Sequence, residues 1–243
     1  WHPRGGLFRI VESLEGLCKH NQVEIKTSEE VQRLVIEKRS CRKVITEHGE
    51  YDADLVISGA DMHHFETVLV DEKYQSYKEK YWRRSVLSPS CFMIYLGLDR
   101  RIQTLEHHNL YFDDSWREHF DEVYKKPKWP RNPSFYIHVP SVTDRTLAPR
   151  GGEVMIILVP VATGLDDSKK QAFADRMIEK AEKVIGENIQ KHIKVKRIFS
   201  HSDYISDYNA YKGTAFGLAH TLLQSALFRP RNKSRTVKNL WFV

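Results

Sequence analysis

Apolar positions along this chain change period several times, and each period predicts an element. After the pair Gly5-Gly6, the residues Leu7, Ile10, Val11, Leu14, Leu17 and Cys18 recur at helical intervals, which predicts a helix burying one face. Residues 23–27, 31–37 and 43–47 are short β-type stretches, the last turning at His48-Gly49 toward Tyr51, and they predict antiparallel ribbons. Residues 55–57 form a brief apolar strand that runs into Ser58, Gly59, Ala60 and Asp61. A glycine at the carboxyl end of such a strand lets the backbone approach a nucleotide closely.

From Phe65 the elements lengthen, and we place a domain boundary near residue 64. A helix is expected over residues 71–84, and the apolar run 91–98 reads as a buried strand bounded by Pro89 and by Asp99-Arg100-Arg101. Ser115 and Glu118 have capping-box spacing, which predicts a helix to about residue 125 with Trp116, Phe120, Val123 and Tyr124 inward. Prolines at 127, 130 and 133 require a loop. Residues 135–139 and 154–161 read as strands forming a sheet floor under a cavity. Phe173, Met177, Ile178, Ala181, Val184 and Ile185 mark the longest helix, about 167–188, followed by extended residues 193–199 and, at 239–243, the beginning of an apolar strand.

With 41% hydrophobic and 29% charged residues the chain has ordinary globular composition. Its apolar runs are far shorter than the roughly 20 residues a spanning helix needs. The net charge of +6 gathers in residues 81–84, 191–197 and 228–238; anionic lipid or nucleic acid could use it, and a solvated basic surface explains it equally. Cys18, Cys41 and Cys91 are widely spaced and suggest neither disulfides nor zinc, which points to a reducing cytoplasm. The pairs His63-His64 and His107-His108 lack a further ligand three or four residues on, so no metal site is expected. No GxSxG elbow or other hydrolase motif stands out, and Asp113-Asp114 read as favouring the dipole of the following helix. The opening WHPRGG and the closing apolar strand lead us to expect further chain on both sides.

One stretch carries more. Residues 205–230, ISDYNAYKGTAFGLAHTLLQSALFRP, set Gly213 and Gly217 among Tyr208, Tyr211, Phe216, Leu218, Leu222, Leu223 and Phe228, which suits either a wall for an elongated apolar ligand or an ordinary packed helix. The segment NAYKGTAFGL, then LLQSALFRPRNKS, then the strand NLWFV, closely resembles the late region of FAD-dependent phytoene desaturases, the carotenoid desaturase family. HPRGGLFRIVESLEGL, DLVISGADMHH, and SCFMIYLGLDRR followed by HHNLYF agree with it, so the resemblance covers nearly the whole chain. The GxGxxG fingerprint of that family occurs nowhere in these residues.

The resemblance implies an α/β fold: part of an FAD-binding domain of the amine-oxidase-like type at residues 1–64, an α+β substrate-binding domain at 65–238, and a returning FAD-domain strand at 239–243. It implies FAD as cofactor, with Gly5 and Gly6 on a loop beside the flavin, Val31 on the ribbon that reads the adenine, and Ser58, Gly59 and Ala60 after a nucleotide-sheet strand. Phe92, Tyr95, Tyr136, Tyr211 and Phe216 are the expected tunnel-lining aromatics, with no catalytic base assigned. The implied reaction is dehydrogenation of a long apolar polyene precursor; carotene isomerisation, polyene saturation, or a non-catalytic basic membrane-surface module are the alternatives. The implied partners are the polyene and a membrane surface, not nucleic acid, with peripheral attachment to the cytoplasmic membrane through Tyr77, Tyr81, Trp82, Arg83 and Arg84.

Overall fold

The computed structural model describes residues 2–243. In chain order the elements are α1 (Phe8–His20), β1 (Val31–Glu37), β2 (Ser40–Thr46), β3 (Glu50–Asp52), β4 (Val56–Ser58), α2 (Met62–His64, continued by a π turn over Phe65–Leu69), α3 (Glu79–Arg84) and β5 (Ser90–Leu98). Then come β6 (His108–Tyr111), α4 (Trp116–Tyr124), β7 (Phe135–His138), β8 (Glu153–Val161), α5 (Lys170–Ile185), β9 (Ile193–Phe199), α6 (His201–Tyr208) and β10 (Leu240–Phe242). Two compact units result: Trp1–Ile25 with Pro89–Ser202, and Lys26–Ser88 with Asp203–Val243. The position near residue 64, expected as a domain boundary, lies inside the second unit, where Phe65, Leu69 and Val70 share a core with Leu34, Cys41, Leu240 and Phe242.

The first unit is built on a five-stranded antiparallel sheet of order β6-β7-β8-β5-β9. Residues alternate between faces of a strand. In β8, Glu153, Met155, Ile157, Val159 and Val161 are buried while the residues between them are half-buried. Phe92, Ile94, Leu96 and Leu98 of β5 and Phe135 and Ile137 of β7 share that buried face. Helix α5 covers it with Phe173, Ala174, Met177, Ile178, Ala181 and Ile185. Gly186, at φ +75°, ends α5 in a left-handed turn that a side chain would strain.

Helix α4 forms where expected but is rotated. Trp116, Phe120 and Tyr124 are exposed, and His119, Glu122 and Val123 are buried. Polar partners account for this: His119 bonds Pro160 O and Ser134 N, and Glu122 accepts from Arg131 N. The Ser115 side chain does not cap the helix; Asp113 accepts from both the N–H and hydroxyl of Ser115 and from Lys180. Helix α1 also forms as read, yet Leu7, Ile10, Val11, Leu14 and Leu17 remain exposed among the described residues, so the expected burial of one face is not found.

In the second unit β1, β2 and β3 make the expected antiparallel ribbon, and β10 pairs with β4 in parallel. Asn239 fixes that pairing: its amide donates to Cys41 O and Asp54 O and accepts from Cys41 N. Residues 23–27 form no strand, and the helix expected over 71–84 is reduced to a short turn at Glu72–Tyr74 and to α3. Residues after α6 are irregular rather than helical, because Asn209, Lys212, Gly213 and Gly217 all adopt positive φ. Among the described residues no helix is long and apolar enough to cross a membrane.

Candidate functional site

The five-stranded sheet has a second face that α5 does not cover. One row across it is His108, His138, Ile156, Tyr95 and Arg197; the next is Leu110, Tyr136, Leu158, Met93 and Phe199. These rows follow from the same alternation that buries the opposite face, and their central members are half-buried. Five strands at about 4.8 Å spacing make a surface roughly 19 Å across. With thioether, aliphatic and aromatic groups at its centre, such a floor fits an elongated apolar ligand.

Tyr95 and Tyr136, both expected to line a tunnel, stand on this open face. Phe92 does not. It points to the opposite face, fully buried and packed edge-on against Trp129 and Phe173, because an even-numbered position in β5 faces α5. Tyr211 and Phe216 belong to the second unit; Tyr211 stacks on His63 at 3.8 Å, and Phe216 is exposed.

Polar groups gather at the β6-β7 edge of the open face. His107 Nε2 and His138 Nε2 are 2.9 Å apart, His107 Nδ1 lies 2.6 Å from Thr143 Oγ1, and His108 Nδ1 lies 2.5 Å from the Tyr136 hydroxyl. His108 stacks on His138 and His2 packs edge-on against His107. Burial first, then the neighbouring His107, His108 and His2, pushes His138 down to about 4. His107 is lowered for the same two reasons.

His2, His107 and His138 bring ring nitrogens within 4.8 Å of one another, a cluster that reading adjacent pairs in the sequence could not find. Within this cluster the Nε2 atoms of His107 and His138 lie at hydrogen-bond distance from each other. His63 is instead tied to Glu79 Oε2 at 3.0 Å.

The loop ahead of α1 adjoins this cluster. Gly5 and Gly6 both have positive φ, +86° and +91°, and an added Cβ would meet Arg9 Nε at 2.7 Å and Leu147 Cδ2 at 3.0 Å. Only glycine suits both the backbone and the space. The Gly5 N–H donates to Asp144 Oδ2, and Asp144 Oδ1 accepts from Thr146.

In the second unit Ser58 ends β4 and Gly59 and Ala60 follow it, beside Val243, whose N–H donates to Ser58 O. A Cβ at Gly59 would meet only Val243, at 3.7 Å, so the backbone there is open. Val31 begins β1 and packs against the same core. An open parallel-strand end of this kind is a feature a dinucleotide cofactor uses.

The flavin containing amine oxidoreductase family model matches residues 1–243. The chain belongs to that family. Family membership implies FAD as the cofactor, and the open backbone at Gly59, at the end of a parallel strand, fits close approach of its nucleotide part. Over its whole length the chain is 36% identical to the carotenoid 3,4-desaturase of Haloarcula japonica, covering 49% of that protein. It is 33% identical to the zeta-carotene-forming phytoene desaturase of Myxococcus xanthus, again over the whole chain, covering 48% of that protein. The chain thus spans about half the length of the curated relatives it matches. Among solved structures, an oxidoreductase from Methanosarcina mazei aligns over 99% of this chain and 49% of its own, with a TM-score of 0.66 at 18% identity. At that identity the match speaks for the fold alone.

Proposed function

We propose that this chain supplies the apolar-substrate region of an FAD-dependent carotenoid desaturase that dehydrogenates a long polyene precursor such as phytoene. The observation that carries this reading is the open apolar face of the five-stranded sheet, with Tyr95, Tyr136, Leu158 and Met93 at its centre and a glycine loop anchored through Asp144 in the same unit. A polyene offers no polar handle, so its binding rests on buried area at about 25 cal/mol per Å². Similarity to two carotenoid desaturases over the full chain supports the same reading.

Gly5 and Gly6 would lie along the flavin edge, with Val31, Ser58, Gly59 and Ala60 toward the nucleotide end. When bound, FAD supplies the two-electron acceptor. The sheet face aligns one C–C bond of the substrate and excludes water from it.

The proposal includes peripheral contact with the cytoplasmic membrane, where so large a hydrocarbon resides. The aromatics expected to make that contact are not available for it: Tyr77 and Trp82 are buried with Leu218. Exposed Leu222, Leu223, Leu227 and Phe228 offer an alternative, with Lys80 and Arg84 beside Leu222 and Leu223. Apolar residues rimmed by cations suit an anionic lipid surface.

The deciding experiment is the pigment spectrum of phytoene-producing bacteria that express the full-length protein. New long-wavelength polyene bands support desaturation. An unchanged spectrum with flavin-loaded protein overturns it.

A further inference from the structure

The histidines of the first unit differ in how far their nitrogens are committed. His119 donates from Nε2 to Pro160 O and accepts the Ser134 N–H at Nδ1, so both nitrogens serve the fold. His201 donates from Nε2 to Ala162 O and meets Asp167 Oδ1 through Nδ1. The pair His107 and His138 is different. Two nitrogens 2.9 Å apart require one proton between them.

The Thr143 hydroxyl can accept from or donate to His107 Nδ1, so it admits either tautomer. With His107 donating from Nδ1 to Thr143 Oγ1, its Nε2 accepts from the Nε2–H of His138. The lone pair of His138 is then left on Nδ1, to which no hydrogen-bond partner is assigned among the described residues. The ring stands in the row that continues through Ile156 to Tyr95 on the open apolar face. Its partner His107 packs against His2, three positions before Gly5 of the loop proposed to lie along the flavin. A base held between an apolar floor and that loop is where dehydrogenation needs one.

Resting on the desaturase reading above, we propose that His138 Nδ1 accepts the proton released from the polyene, and that His107 is the positioning residue that fixes its tautomer. One C–H bond breaks with its electron pair and hydrogen leaving as hydride to a flavin, which is reduced by two electrons. The adjacent C–H bond leaves its pair as the new C=C and its proton on His138. The resulting charge is supported by the Nε2–H···Nε2 bond to His107, and the proton returns to solvent before the next turnover. The titratable groups around His138 are His2, His107, His108 and Tyr136, with Arg197 at the far end of its row. None of these is a carboxylate that would hold the ring protonated, and its depressed pKa leaves it neutral at pH 7.

The test uses the flavin-loaded full-length protein with phytoene. His138→Gln should lower kcat by about 10²- to 10⁴-fold with flavin content and KM unchanged, and should remove the acid limb of the kcat profile. His107→Gln should lower kcat less, with flavin content unchanged, and should let the ring proton of His138 distribute over both nitrogens in imidazole ¹⁵N spectra. Imidazole ¹⁵N spectra at pH 7, which need no turnover, should show an unprotonated Nδ1 and a protonated Nε2 on His138. Wild-type-like kcat in His138→Gln, while the wild type converts phytoene, overturns this inference and leaves desaturation standing. So does a proton on His138 Nδ1, or stoichiometric zinc that is lost in His138→Gln. A wild type that binds flavin but never converts phytoene overturns both readings.

Discussion

The backbone N–H of Gly5 donates to Asp144 Oδ2 at 2.5 Å, joining positions 139 residues apart in sequence. The other oxygen, Oδ1, accepts from both the N–H and the hydroxyl of Thr146, so one carboxylate holds a turn of its own and a distant glycine loop. The Thr146 hydroxyl first, then the Gly5 N–H, hold this carboxyl down at about 2. Because the folded value lies below the ordinary aspartate value of about 3.9, its stabilising effect is present above that pH and is lost as pH falls through about 2.

Asp144→Ala should therefore flatten the loss of stability between about pH 4 and 2, followed by circular dichroism during acid titration. In the flavin-loaded protein it should also release flavin roughly tenfold more readily, since loss of the carboxylate leaves the Gly5 N–H without its acceptor. Flavin fluorescence of the dialysate measures this. Retention equal to the wild type would mean that the loop does not depend on the carboxylate.

Phe92 and Tyr95 are three positions apart and serve opposite faces of one sheet. Phe92→Ala should cost about 3–5 kcal/mol in urea unfolding, because it empties a site closed by Trp129 and Phe173. Tyr95→Ala should cost about 1 kcal/mol, as a half-buried position does, and should instead raise KM for the polyene. A raised KM with little loss of stability in Phe92→Ala would reverse the assignment of faces.

Strand β8 and helix α5 were legible because their periods are strong and their core positions apolar: the alternation in 153–161 and the spacing from Phe173 to Ile185 leave one reading. The rotation of α4 was not, because the residues it buries, His119 and Glu122, are polar and their burial depends on the carbonyl of Pro160 and the N–H of Arg131. The side of the sheet on which Phe92 lies could not be read from a run that is apolar at almost every position. Residues 205–230 defeated a helical reading because positive φ at Asn209, Lys212, Gly213 and Gly217 breaks a pattern that side-chain hydrophobicity alone continues. The histidine cluster escaped for a topological reason. His2, His107 and His138 come from the segment ahead of α1, the approach to one strand and the end of another, and strand pairing alone brings the last two together.

The proposed membrane contact can be separated from folding because its residues bury nothing here. Leu222 and Leu227 are 87% and 97% exposed, so Leu222→Asp with Leu227→Asp should leave thermal unfolding unchanged. If they enter the acyl boundary of a bilayer, each leucine contributes about 1.5–3 kcal/mol of burial, and binding should weaken at least about tenfold per substitution. Co-sedimentation with vesicles of mixed neutral and anionic phospholipid gives the partition directly, and raised salt should weaken the wild type further through the cations beside Leu222. Substituting Trp82, which is 3% exposed and donates its indole N–H to Tyr77 O, should lower stability instead. If the double aspartate variant sediments as the wild type does, this loop is not the contact, and the exposed apolar stripe of α1 becomes the next surface to change.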